Sequence, residues 1–367
     1  MTASQARLLR MRAQGLDAPA AGDSAAERVA AAARRCGGIQ AQDLQASRLA
    51  VHARADVTLP DVIAVCDAGQ AVVRSWFMRG TLHLVAAEDA PRLTAVLGPV
   101  TIARYRRRRA DLGLDDRLGA AVLAALPGVL AGGPLDRKAL MAALRAEGLS
   151  IPGGQAEPHL LIYAACHGII VRGPDRDAEP TYALCPPARR DPGELRGPAA
   201  VTALARSYLD AFAPAGIDDF ASWSGLPART CRTAIEALRG ELAEVTIEGR
   251  PMRIPWPALE TMPGQSAGCW QLLPAFDTYL VGYRHRELLI EAAAAPFVYA
   301  GGGWIHPSVV RDGRVVGSWR LRRGGTAATA DVMLFDGAAP PPQPLGKAAA
   351  RLGSFLALPV TMRAADL

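Results

Sequence analysis

Apolar positions along this chain switch repeatedly between a helical and an alternating spacing. From Val201 to Phe212 they recur at three- and four-residue intervals, which lines one face of a helix that Pro214 and Gly216 end. Asp218 or Asp219 is placed to cap a short second helix carrying Phe220 and Trp223, and Gly225-Leu226-Pro227 turns the chain into a third helix, Ala228–Leu238. Leu242–Ile247 then alternates apolar with polar, Glu248–Gly249 makes a turn, and Pro251–Ile254 runs back. Helix, turn, helix and hairpin in that order predict a winged helix.

The plan occurs twice more. In the copy over about 118–186, Leu135, Leu140, Leu144 and Leu149 mark a helix ended by Gly148, with Pro152 beyond, and His159–Gly168 forms the next. Ile169–Arg172 and Thr181–Leu184 flank a polar Gly173-Pro174-Asp175 segment that reads as a wing. In the first copy, Arg28–Cys36 stops at Gly37–Gly38, Leu44–Ala53 and Pro60–Cys66 are further helices, and Val72–Phe77 pairs with Thr81–Val85 across Arg79–Gly80. After residue 255 helical periodicity fades, and Val309–Arg322 alternates around Asp312–Gly313, a strong two-residue hairpin signal. A final helix over Leu345–Leu356 follows a rigid Pro340–Pro342 linker. The expected fold is α+β: winged helices over 1–110, 111–195 and 196–255, then a β-rich domain over 256–367.

Composition narrows the function classes. The 367 residues carry a formal net charge of +6, which points to a polyanion, because Lys and Arg release counterions from phosphates. Only Lys138 and Lys347 are lysines, so the charge is nearly all arginine, a bias that also suits a GC-rich genome. Charge alone therefore does not decide for nucleic acid. No run approaches the ~20 apolar residues of a membrane helix, and Met1–Gln14 has neither the apolar middle nor the cleavage site of a secretory signal. A cytoplasmic protein is expected. The six cysteines contain no close pair and the six histidines no HxH or HxxxH spacing, so neither structural zinc nor a compact disulfide framework is expected. No nucleophile elbow and no phosphate-binding glycine loop occurs, so neither a metal nor a nucleotide cofactor is called for.

Four ordered blocks carry a resemblance. Gly37-Gly38-Ile39-Gln40-Ala41-Gln42 looks like the Gln-hydrophobic-Gln signature of the AlkZ-type (YcaQ-like) winged-helix DNA glycosylases, and the run from Arg74 to Leu84 is similar to that family's second block. The runs Leu273–Arg284 and Asp312–Arg320 resemble its third and fourth. The resemblance implies tandem winged helices and a β domain in a C shape around a DNA channel. It also implies excision of alkylated bases, including crosslinks and bulky adducts. Two positions depart from the pattern: Ala41 is small for the middle of the motif, and His285 stands where an acidic residue is expected.

Gln40 and Gln42, two apart in an extended segment, point to the same side. Glutamine is no base near neutral pH, but its carbonyl holds a water and its dipole stabilises developing positive charge. An N7-alkylpurine is already cationic and leaves neutral, so neither a strong acid nor a lysine nucleophile is needed. The expected activity is a monofunctional glycosylase without lyase chemistry, acting as a monomer on double-stranded DNA bearing alkylated purines. The alternative is a non-catalytic winged-helix transcriptional regulator, since fold does not fix function.

Asp43 reads as a cap for the following helix rather than as a water-activating carboxylate. His83 is either a hydrogen-bonded strand histidine or, at the cleft, a neutral donor or phosphate contact. Arg79, Arg284, Arg286, Arg311, Arg314 and Arg320 are the further candidates for DNA binding. The run Arg104–Arg109 is either a solvated helix face or a set of phosphate contacts. Arg229 and Arg232, at the start of the third recognition helix, either read a major groove or sit on a helix that packs internally. Asp277, Tyr279, Tyr283, Arg284 and Arg286 form a polar-aromatic cluster that reads as channel lining or as a buried network. The hairpin at Asp312–Gly313, flanked by arginines, is either a wedge entering a minor groove or a core hairpin of the β domain with Trp319 packed beneath it.

Overall fold

A computed structural model describes residues 1–176, 179–186, 197–261, 268–339 and 341–365, and the chain is α+β. Helices α1 (Ala3–Ala13) and α2 (Ala25–Arg35) begin at Thr2 and Ser24, each bonded reciprocally with the glutamine or glutamate three residues on. Gly37 and Gly38 stop α2 with positive φ. Gly38 has a backbone φ of 108° that side chains rarely adopt, and a Cβ there would crowd Met78 Cε at 2.9 Å and Val85 Cγ1 at 3.0 Å. Strand β1 (Ile39–Gln40) leads into α3 (Leu44–His52) and α4 (Leu59–Ala68). Strands β2 (Val72–Trp76) and β3 (Leu82–Ala86) pair antiparallel around the turn Met78–Gly80.

Next come α5 (Ala90–Arg104), α6 (Arg106–Asp111), α7 (Asp116–Val129), β4 (Leu135–Asp136), α8 (Arg137–Ala146), α9 (Ala156–Cys166), β5 (Ile170–Arg172) and β6 (Thr181–Leu184). Leu135 and Leu149, expected in one helix with Leu140 and Leu144, lie outside it. Asp136 caps α8 by accepting from the Ala139 N–H at 2.8 Å, so Leu135 is left to pair with Tyr182, while Gly148 turns left-handed before Leu149.

Helices α10 (Gly197–Phe212), α11 (Ile217–Ser224) and α12 (Ala228–Glu236) precede the hairpin β7 (Leu242–Ile247) and β8 (Arg250–Pro255). Asp219 is not the cap of α11 but its third residue. One carboxylate oxygen accepts from the Gly216 N–H at 2.9 Å, and the other accepts from the Arg284 and His285 N–H groups at 2.9 and 3.3 Å. A buried aspartate thus pins the third helical group to the third sequence block.

The remainder holds α13 (Trp256–Glu260), β9 (Trp270–Leu273), α14 (Thr278–Val281), α15 (Ala295–Val298), β10 (Ser308–Arg311), β11 (Arg314–Arg323), β12 (Ala328–Leu334), α16 (Pro342–Leu356) and β13 (Val360–Ala364). The proposed linker at Pro340–Pro342 is largely the start of α16, and Pro340 lies outside the described residues. Five strands form one sheet in the order β13-β12-β11-β10-β9, with only β12 and β13 parallel.

Pairing crosses between segments. β2 bonds β5 where Arg74 faces Arg172, so the first two hairpins merge into a six-stranded sheet, β1-β3-β2-β5-β6-β4. One core unites Phe77, Val85 and Leu97 with Tyr208, Phe212, Trp223 and Tyr283. A second joins Val29, Ile39 and Val51 to Trp319, Val332 and Phe355 of the C-terminal sheet and helix. A third, around Leu126, Leu140 and Leu160, lies almost wholly within residues 112–184.

The Asp312–Gly313 hairpin forms as expected, with positive φ at both turn residues. It is not a wedge. Val309 and Val310 are fully buried, β10 lies between β9 and β11, and the Gly313 carbonyl accepts from the Tyr279 hydroxyl at 2.8 Å. A Cβ on Gly313 would sit 2.7 Å from Arg7 Cβ, so the tip is packed against α1 and cannot enter a groove. Among the described residues no helix is long and apolar enough to cross a membrane.

Candidate active site

The glutamine pair sits where β1 leaves the sheet. Gln40 lies opposite His83 in the β1–β3 ladder, and the Ala41 N–H donates to the Leu82 carbonyl at 2.8 Å. The Gln40 Nε2 donates to the Gln42 Oε1 at 3.2 Å, so the two side chains do lie on one side. Gln40 is 8 % exposed, and its Oε1 is buried without a partner. Leaving such an oxygen dry costs about 1–3 kcal/mol, which a bound donor recovers. Gln42 is exposed. Asp43 is the cap of α3, its carboxylate accepting from the Ala46 N–H at 2.9 Å.

His83 is 2 % exposed, and its Nδ1 lies 2.9 Å from the Thr81 carbonyl. A carbonyl only accepts, so Nδ1 carries the proton and Nε2 is the acceptor. Burial first, and Arg79 second, push its pKa down to about 3, against a smaller opposing effect of the Thr81 bond. With its one N–H engaged by Thr81 and its ring buried, His83 has no free donor to offer DNA.

Arg79 has a left-handed backbone, φ 57°, in the turn beside this patch. Its guanidinium donates to the Ser222 and Trp223 carbonyls at 3.3 and 3.0 Å, closing the C-terminal end of α11. Arg104 donates to the Arg79 and Gly225 carbonyls at 3.0 and 3.2 Å. Gly225 permits this approach, since a Cβ there would lie 2.8 Å from Arg104 Nη2. The Arg79 pKa is lowered by burial and then by Arg104 and Arg286. Among the described residues none of these three arginines is held in an ion pair. Three mutually repelling cations without a counter-ion among the described residues, one of them acting on His83, make a local field suited to a phosphodiester.

The four-block spacing has a fuller counterpart among known proteins. The family model for AlkZ-like DNA glycosylases matches residues 33–355. An interstrand DNA cross-link repair glycosylase from Streptomyces sahachiroi is 30% identical over 308 residues, covering 78% of this chain and 80% of that protein. The chain belongs to the AlkZ-like DNA glycosylase family. The solved structure of the Streptomyces sahachiroi DNA glycosylase AlkZ has the same fold, with a TM-score of 0.80 at 24% identity over 100% of both chains. Membership places this chain with DNA glycosylases rather than with winged-helix regulators.

The other candidates of this AlkZ-like chain have partners of their own or lie exposed. Arg286 lies over the Tyr299 ring at 3.9 Å, and Arg284 is exposed. Arg311 lies over Trp270 at 5.6 Å, Arg314 pairs with Glu291, and Arg320 is exposed on β11. Arg106, Arg107, Arg108, Arg229 and Arg232 are exposed, whereas Arg109 is buried over Tyr163. Asp277, Tyr279 and Tyr283 are buried, so these three members of the cluster form a network, while Arg284 is exposed and Arg286 half-buried.

Sequence reasoning missed the partner of Asp277. Arg54, just past α3, donates Nη1 and Nη2 to its two carboxylate oxygens at 2.8 and 2.7 Å, with both side chains fully buried. A lone arginine after a helix and an aspartate 223 residues later give no local signal.

Proposed function

We propose that this protein is a monofunctional DNA glycosylase that excises bulky or crosslinked N7-alkylpurines with a water held by Gln40 and Gln42. The buried, unpartnered Gln40 Oε1 carries this reading, because it is an acceptor waiting for an O–H donor beside an exposed second amide. Gln40 accepts a hydrogen bond from the water, and the Gln42 dipole faces the positive charge that develops on the sugar. The cationic purine leaves as a neutral base, so no protein acid and no covalent intermediate is required. Lys138 and Lys347 are both exposed on helices outside the four blocks, which argues against Schiff-base lyase chemistry. Crosslinks enter the proposal through the relative's name and bulky adducts through the family likeness.

The helix groups and hairpins act as three winged helices over 1–110, 111–195 and 196–255, with the β-rich domain over 256–367 completing a C around duplex DNA. Arg79, Arg284, Arg286, Arg311, Arg314 and Arg320 supply phosphate contacts, and the protein works as a cytoplasmic monomer. The test is incubation with duplex DNA containing N7-methylguanine, followed by chromatographic detection of free base. Wild type releases the base, while Gln40→Ala and Gln42→Ala lose most release and keep their DNA affinity. Full turnover in either variant would remove the glutamines from the mechanism.

A further inference from the structure

The glutamine pair has a third polar neighbour on its face of the sheet. Because the Ala41 N–H bonds the Leu82 carbonyl, Gln40 and His83 are the non-bonded kind of antiparallel pair, whose side chains stand closest on one face. Gln40 presents an Oε1 with no donor, and His83, its Nδ1–H held by Thr81, presents a lone pair at Nε2. Two acceptors at neighbouring positions call for a ligand with two donor hydrogens. Water is the smallest that fits.

We infer that His83 Nε2 takes a proton from the water that attacks C1′, making His83 a catalytic residue rather than a DNA contact. This rests on the glutamine–water reading above. The C1′–N9 bond breaks and its electron pair passes to the purine, cancelling the charge of the N7-alkyl cation. The water oxygen bonds to C1′, and the proton it loses goes to Nε2 and then to bulk water. Water attached to an oxocarbenium carbon is a far stronger acid than imidazolium, so a weak base suffices. The charged group acting on His83 is Arg79, and among the described residues no carboxylate opposes it. Burial and Arg79 thereby keep the imidazole neutral and ready to accept throughout the neutral pH range.

The test is single-turnover excision of N7-methylguanine from duplex DNA by His83→Asn, His83→Gln and His83→Gly, beside Gln40→Ala. Asparagine keeps a donor at the Nδ1 position and loses the Nε2 acceptor, whereas glutamine reaches that position with an oxygen. His83→Asn should slow excision by about 10²-fold or more, the usual range for a lost proton acceptor, at near wild-type DNA affinity and melting temperature. His83→Gln should recover part of the rate, and free imidazole should accelerate His83→Gly. A wild-type rate for His83→Asn while Gln40→Ala is inactive overturns the role of His83 and leaves the glutamines standing. A wild-type rate for Gln40→Ala overturns the parent reading instead. If rate, affinity and stability fall together and imidazole restores nothing, His83 is a packing residue and the inference fails.

Discussion

The two ends of α3 treat buried polarity in opposite ways. Before its first turn, Gln40 is buried with an unpartnered Oε1, and His83, opposite it on β3, is buried and neutral. Just past its last turn, Arg54 and Asp277 are buried, charged and bonded to each other at two points, with the Tyr279 N–H and Gln14 as further partners. The closed end fixes the helix against the C-terminal region. The open end keeps bonding capacity for something that arrives. Stability and chemistry are separated by the length of one short helix, and variants at its two ends should separate them too.

The largest effect is expected at the closed end. Asp277→Ala leaves Arg54 buried without its counter-charge, a loss on the order of 3–5 kcal/mol of stability, read by urea unfolding. A loss below ~1 kcal/mol would mean that the pair is not the fastening it resembles. Next, Gln40→Ala should raise the excision barrier by about 3 kcal/mol, the scale for removing one preorganised dipole, while its unfolding midpoint stays within error. Equal losses of stability and rate would erase the contrast between the ends.

Acid should act on the open end. His83 has a folded pKa of about 3 against an ordinary value of 6.5, so the unfolded chain binds a proton the native one refuses. Stability contributed by keeping it neutral is intact above pH 6.5, falls as pH drops, and is down by ~2 kcal/mol near pH 5. Calorimetry of wild type against His83→Asn should show that slope disappear in the variant. The smallest effect belongs to the hairpin: Arg311→Ala with Arg314→Ala, both exposed, should cost under ~1 kcal/mol in affinity. The loss should be equal on damaged and undamaged duplex, and a lesion-selective loss would restore a role in recognising damage.

Much of this was legible along the chain because its signals are local. Glu248–Gly249 and Asp312–Gly313 announce their hairpins through residues that accept positive φ, and Gln40 with Gln42 are read from a spacing of two in an extended segment. The same rules stop at tertiary placement. Both hairpins have the same kind of turn, yet a Cβ on Gly249 meets open space and one on Gly313 meets Arg7. Nothing in Asp312–Gly313 records that α1 lies across it. The neutrality of His83 is equally silent in sequence, since it arises from burial and from an arginine on the turn. The pairing of β2 with β5 depends on two hairpins about a hundred residues apart meeting edge to edge.

That shared sheet ends on both sides in strands of two residues, β1 at one edge and β4 at the other. A long open edge invites another chain to add a strand, the usual route to aggregation. Here the edge that carries Gln40 is too short to template such an addition. Two-residue strands at both rims leave the sheet little free backbone on which a second copy of this chain could add a strand.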